Sequence, residues 1–323
     1  MLQTFAEVDS MTIILHIGVH KTGTSALQSF LHRNSALLAD RGVIYKPTIP
    51  DWPNHNPLAM AFMPGSIDHG PTRLAMTLAE AENKTVLISS EMLCEPEVDF
   101  DLLLSCLKGH DVRVIAYVRH PSDIVVSAFN EVVRHHDRHW TRPLNEEPFA
   151  YDPSQLDLLR PWLKIPNITL APYDRSQWVG GSIFSDFLAM IGVSGDSFDF
   201  SQTGGNESLS YPLIEALRHV NIACPSADQH RAILELLQTI KCGPGEYPLT
   251  RKNVRKCIKR MRLALPSYRP HFRSGFDEGY LLEPRHEPEG GWFSLRGSAI
   301  ARATGFLVKA ATFLFPALDA GLM

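Results

Sequence analysis

Short, near-continuous apolar runs alternate with stretches of helical periodicity through the first half of the chain. Residues 12–17 (T-I-I-L-H-I), 85–89 (T-V-L-I-S) and 112–118 (V-R-V-I-A-Y-V) read as strands buried on both faces, with shorter strands at 42–45 and 168–171. Between them, apolar spacing predicts helices over 24–39, 56–62, 72–82, 101–107, 122–134 and 182–191. Strand–helix alternation of this kind predicts an α/β fold with a central parallel sheet covered on both faces. The second half is helical and loop-rich. Helices are expected over 210–221, with Ser210 as N-cap and Pro212 in the first turn, and over 227–241. Residues 242–250 and 266–298 read as loops, as does 141–166, which carries Pro143, Pro148, Pro153, Pro161 and Pro166.

Organisation follows from the same pattern. Residues 1–10 read as an N-terminal extension and 11–323 as one domain. Its strand–helix core would run to about 195, with a helical and loop-rich region over 196–323. The stretch 299–323 is apolar but broken by Arg302, Lys309, Pro316 and Asp319, so it reads as a docked amphipathic helix and not a membrane span. Glu7 and Asp9 at the start argue against a secretory signal.

Composition narrows the classes. The 323 residues carry 31 Lys and Arg against 35 Asp and Glu, which argues against a general nucleic-acid binder and makes any basic site local. Five cysteines without a C-x-x-C pair fit free thiols in a reducing, cytoplasmic setting. No metal-ligand cluster of typical spacing stands out, so no metal is expected. The segment 251–262 (R-K-N-V-R-K-C-I-K-R-M-R) has seven basic residues and no acid, with Val254, Ile258, Met261 and Leu265 at helical spacing. One face should dock and the other should be basic.

Candidate chemistry begins at Gly18-Val-His-Lys-Thr-Gly-Thr-Ser25, between the first strand and its helix. Successive backbone N–H groups and a helix N-terminus there can cradle an anion. Gly18 and Gly23 match Walker A spacing, yet Thr24 stands where that motif has lysine, and the loop's lysine is Lys21. A kinase-like phosphotransferase therefore loses its key cation. A second segment, Arg119-His-Pro-Ser-Asp-x-x-x-Ser127, follows the fourth strand, where ligands bind in open α/β sheets. A guanidinium and a hydroxyl two helical turns apart suit a phosphate, and Asp123 is placed to cap or orient the turn.

Together H-K-T-G-T-S-A-L and V-R-H-P-S-D-I-V-V-S-A-F resemble the two nucleotide motifs of sulfotransferases that use 3'-phosphoadenosine-5'-phosphosulfate, bacterial and carbohydrate-type members above all. Tyr173-Asp174 resembles the family's tyrosine-acid segment. The resemblance implies a P-loop NTPase-like three-layer fold, and a sulfuryl group moved to a hydroxyl of a small-molecule or glycan acceptor by in-line displacement. It implies that Lys21, Thr22, Gly23, Thr24, Ser25 and Ala26 bind the 5'-phosphosulfate, Arg119 and Ser127 the 3'-phosphate, and that Tyr173 lies near the adenine. Lys21 would stabilise the leaving group. Glu91 after the third strand, or His55, would take the acceptor's proton. His16 reads as a core histidine, and His20 as a residue that could face the acceptor. A non-catalytic protein that keeps the nucleotide fold is the other alternative, with retention of Lys21, Arg119 and Ser127 against it.

Overall fold

The computed structural model describes residues 10–49, 52–79, 81, 84–146, 155–201, 208–222, 226–240, 247 and 249–286. The expected extension (1–9), the C-terminal apolar stretch (299–323) and most of 242–250 lie outside the described residues. The chain forms two compact units, each drawn from three separate segments.

The first unit (Met1–Arg119, Ser154–Gly205, Leu263–Tyr280) holds the sheet. Its strands are β1 (Thr12–His16), β2 (Val43–Ile44), β3 (Thr85–Ser89), β4 (Asp111–Val118) and β5 (Ile168–Pro172), all parallel in the order β2-β3-β1-β4-β5. The α/β fold with a central parallel sheet is therefore present. Helices α1 (Thr24–Arg33), α2 (Ser35–Asp40), α3 (Asn56–Met60), α4 (Gly70–Ala79) and α5 (Phe100–Leu107) follow the strands. The next helix in the chain, α6 (Pro121–Arg134), belongs to the second unit. The first unit resumes with α7 (Gln155–Leu159) and α8 (Ile183–Met190).

Alternate strand positions explain why the strands read as unbroken apolar runs. Ile14, Leu87, Ile115, Tyr117 and Ala171 pack with Leu27, Phe30 and Leu31 of α1 and Phe184 and Phe187 of α8. The intervening Ile13, Leu15, Val86, Ile88, Val114, Ala116 and Leu170 are also fully buried, so both faces of the sheet are covered. Phe30 stacks on Phe184 at 4.6 Å between ring centroids.

The helix expected over 24–39 is two. Asn34 breaks it, because its side-chain amide donates to Phe30 O and Asp199 O while its Oδ1 accepts from Asp199 N. A side chain that bonds the backbone locally and across to another segment competes with helix continuation.

The second unit (His120–Pro153, Asn206–Arg262, Leu281–Met323) is helical where described. It comprises α6, α9 (Tyr211–Ile222), α10 (Ala227–Thr239) and the start of α11 (Arg251–Tyr268). Phe129, Val132 and Val133 of α6 pack with Ile214 and Leu217, Ile233 and Leu237, and Val254, Cys257 and Ile258. Several local expectations change here. The sequence places loop from 266 on, but α11 runs through Pro266 to Tyr268. Ser210 stands just before α9, yet its buried Oγ has no hydrogen-bond partner, so the side chain does not cap the helix. Asp123 does not cap α6. His120 does, its Nδ1 accepting from Ser122 N at 3.2 Å, while Asp123 pairs with Arg285 and His286.

Candidate functional site

The strand order puts a topological switch point between β1 and β4: the chain leaves β1 towards β2 and β3 and leaves β4 on the other side. The crevice beyond the carboxyl ends of such neighbours is where open α/β sheets bind ligands. The anion loop and Arg119, the first residue of the second motif, arrive there. The loop 17–23 leaves β1, and Arg119 directly follows β4, donating from Nη1 to Lys21 O at 2.5 Å.

The loop's shape follows from its residues. Gly18 has no room for a side chain, since a Cβ there would lie 1.8 Å from Thr24 Cγ2. Lys21 and Gly23 both have left-handed backbone, with φ of 69° and 73°. For Lys21 that conformation is unfavourable and has to be held by its surroundings, which include the Arg119 contact. Thr22 is fully buried and its Oγ1 donates to Val19 O at 2.6 Å, closing the loop. Gly23 stands at the N-cap of α1 without a side-chain cap, so the first N–H groups of the helix are left for a ligand. Thr24 is buried, whereas Ser25 and Ala26 are exposed on the first turn.

Tyr173 completes this side. Its N–H donates to Val118 O at 2.7 Å, its hydroxyl comes within reach of Gly23, and its ring lies 5.1 Å from the Arg119 guanidinium carbon. Lys21, the 22–26 segment, Arg119 and Tyr173 are thus brought together. Ser127 lies half-buried on α6 in the second unit.

The acidic side is built from β3. Ser90 caps the 3-10 turn Glu91–Cys94 by accepting from Met92 N, and donates from Oγ to Asn56 Oδ1 at 2.7 Å. Asn56 Nδ2 then donates to Glu91 Oε1 at 3.0 Å, and Gln28 Nε2 of α1 donates to Glu91 Oε2 at 2.8 Å. Two neutral amides therefore fix a half-buried carboxylate beside the helix that starts at the anion loop. At the turn's end, His20 Nε2 donates to Glu95 Oε1 at 2.5 Å, with both side chains partly exposed.

His55 sits elsewhere in this network. It is fully buried, and its Nδ1 accepts from Ser89 N at 3.2 Å. It occupies the N-cap position of α3 but makes no side-chain cap. Burial pushes its pKa down to about 4, so it is neutral near pH 7. His16 is also buried, shares a 2.7 Å hydrogen bond with Ser89 Oγ and is pushed to about 4 by burial, against the opposing pull of Glu91. It is the core histidine expected of a strand residue.

Gln28, Asn56 and Glu95 are the site residues that the sequence does not single out. Their signal is absent from local pattern because each acts by pairing over 35 to 75 residues. Among the described residues, no group of three or more His, Cys, Asp or Glu is arranged to hold a metal ion, and no helix is long and apolar enough to cross a membrane.

No protein-family model matches the chain, and no curated protein matches it. Among solved structures, the crystal structure of a sulfotransferase from Alicyclobacillus acidocaldarius is similar over 71% of this chain and 96% of that chain, at 16% identity and a TM-score of 0.39. A likeness of that degree carries no assignment, and the functional reading rests on the residues of the site.

Proposed function

We propose that the chain is a sulfotransferase that uses 3'-phosphoadenosine-5'-phosphosulfate as donor and a hydroxyl group of a carbohydrate, lipid or small metabolite as acceptor. The observation that carries this reading is the H-K-T-G-T-S loop at the switch point, with Lys21 inside the loop and tied through its carbonyl to Arg119. A Walker-type phosphotransferase would need its cation at position 24, which is a buried threonine packed on Gly18.

The residues present fit such a donor. Open N–H groups at the start of α1 and the Lys21 ammonium suit a 5'-phosphosulfate. Arg119, with Ser127 as the second group of its motif, is proposed for the 3'-phosphate, and the Tyr173 ring for the adenine. The donor supplies an activated sulfuryl group. The acceptor oxygen–sulfur bond forms as the bond from sulfur to the 5'-phosphate oxygen breaks, and the charge left on that oxygen is what Lys21 neutralises. Glu91 is proposed to take the acceptor's proton, since its carboxylate is oriented by Gln28 and Asn56, whereas the His55 ring is wholly buried. A reducing, cytoplasmic setting and an absence of any metal requirement go with this reading.

Calorimetric titration with adenosine 3',5'-bisphosphate in EDTA, against ATP with Mg²⁺, tests the reading. Metal-free binding of the bisphosphate is the expected result. Binding of Mg-ATP alone would replace the reading with a phosphotransferase, and binding of neither would leave a nucleotide fold without this donor site.

A further inference from the structure

Helix α11 is apolar along one side and basic along the other. At about 100° per residue, Val254, Cys257, Ile258, Met261 and Leu265 fall on one side of the helix. All five are buried, so that side is committed to the protein interior. The opposite side holds one row of Arg251, Arg255, Lys259 and Arg262 and another of Lys252, Lys256 and Arg260, every one exposed. These rows extend about 16 Å along the axis. Among the described residues, no carboxylate pairs with Lys252, Arg255, Lys259 or Arg262.

A merely solvated helix face mixes signs, because like charges four residues apart destabilise the helix. Here that spacing repeats at 251/255/259 and 252/256/260 with no acid between. Cations also crowd the helix N-terminus, where the macrodipole disfavours them, and the first turn has no acidic residue. Arg251, Lys256 and Arg260 have partners within the protein, and an external anion relieves what is left at Lys252, Arg255, Lys259 and Arg262, in a chain that is net negative as a whole. We propose that this face of α11 docks on an anionic phospholipid surface.

Two features favour a lipid surface over a polyanionic strand. The cations fan over about half of the helix circumference, which suits a two-dimensional array of headgroups. Leu263, 74% exposed, falls inside the same arc between Lys252 and Lys256, so the basic face includes an apolar residue that a headgroup layer can bury.

Sedimentation of the full chain with vesicles tests this. Binding to phosphatidylcholine vesicles containing about 30 mol% phosphatidylglycerol is expected, with none to phosphatidylcholine alone. It should fall steeply as salt rises from about 0.1 M to about 0.5 M. The double variant Arg255→Glu/Lys259→Glu should lose at least about 25-fold in partitioning, fivefold for each cation, with thermal melting and bisphosphate binding unchanged. Leu263→Ser should weaken adsorption without altering its salt dependence. Equal binding to neutral vesicles, no binding to either, or an unaffected double variant overturns the proposal. So does retention on heparin or single-stranded RNA with no vesicle binding, which would make the occupant a polyanionic strand. The outcome does not depend on the sulfotransferase reading.

Discussion

Lys21 and Arg119 form a pair whose roles separate experimentally. Arg119 donates from Nη1 to the Lys21 carbonyl, so it supports the loop as well as standing at the strand end where a ligand would bind. Under the proposed function, Lys21 meets charge that develops as the reaction proceeds, whereas Arg119 meets charge already present in the bound nucleotide. Lys21→Ala should therefore lower kcat by about 10²–10³-fold with a smaller change in bisphosphate affinity, as for loss of one preorganised donor. Undiminished turnover in that variant would remove Lys21 from the chemistry. Arg119→Ala should weaken adenosine 3',5'-bisphosphate by at least about tenfold, the scale of one charged hydrogen bond, and adenosine 5'-phosphate far less. Equal weakening of both nucleotides would show that Arg119 acts through the loop and not on a 3'-phosphate.

At the scale of elements, the anion loop depends on one close approach. Thr24 Cγ2 occupies the space that a Gly18 side chain would need, and this contact locks the end of β1 to the first turn of α1. Gly18→Ala should destabilise the protein by about 1–3 kcal/mol and abolish bisphosphate binding. Thr24→Ser removes the obstructing methyl, so Gly18→Ala/Thr24→Ser should recover part of the lost melting temperature. If the double variant melts no higher than Gly18→Ala alone, the loop is strained for another reason. This contact also shows what is legible in the sequence. Five strands and the loop can be read directly, because a sheet buried on both faces leaves unbroken apolar runs and Gly18 and Gly23 mark a tight turn between them. Lys21, Arg119 and Tyr173 can be placed as well, since each follows a strand end. The break at Asn34 is not legible, because it depends on Asp199, far along the chain. Nor is the cradle of Glu91, whose amide partners sit on α1 and α3, or the pairing of Glu95 with His20. Periodicity reports which face of an element is buried, and says nothing about which polar side chains meet across elements.

For the whole molecule, buried histidines set how stability responds to acid, His16, His55 and His120 most strongly, with His230 of the second unit pushed down by burial in the same direction. His16 and His55 stand in the first unit and His120 in the second, all fully buried, and burial pushes each from 6.5 down to about 4. Their neighbours do not reverse this: Glu91 pulls His16 upward, and Asp123 opposes the burial of His120 without cancelling it. In the folded protein these rings stay neutral until the pH approaches 4, whereas in the unfolded chain they take up protons near 6.5. The unfolded state therefore binds more protons throughout that window, and stability falls as the pH drops through it. The slope is on the order of 1 kcal/mol per histidine per pH unit within the window, and it flattens below about 4, where both states are protonated. Urea unfolding followed at pH 7.0, 6.0 and 5.0 should thus show a falling midpoint with unchanged m-value, while pH 7.0 and 8.0 should agree closely. His55→Gln removes one of these groups, so whatever it does to stability at pH 7, its midpoint should decline less steeply with acid than that of the parent. A midpoint that stays level from pH 7 to pH 5 would mean that these rings are solvated or protonated in the folded state, and the neutral His16 and His55 beneath the candidate site would have to be abandoned with it.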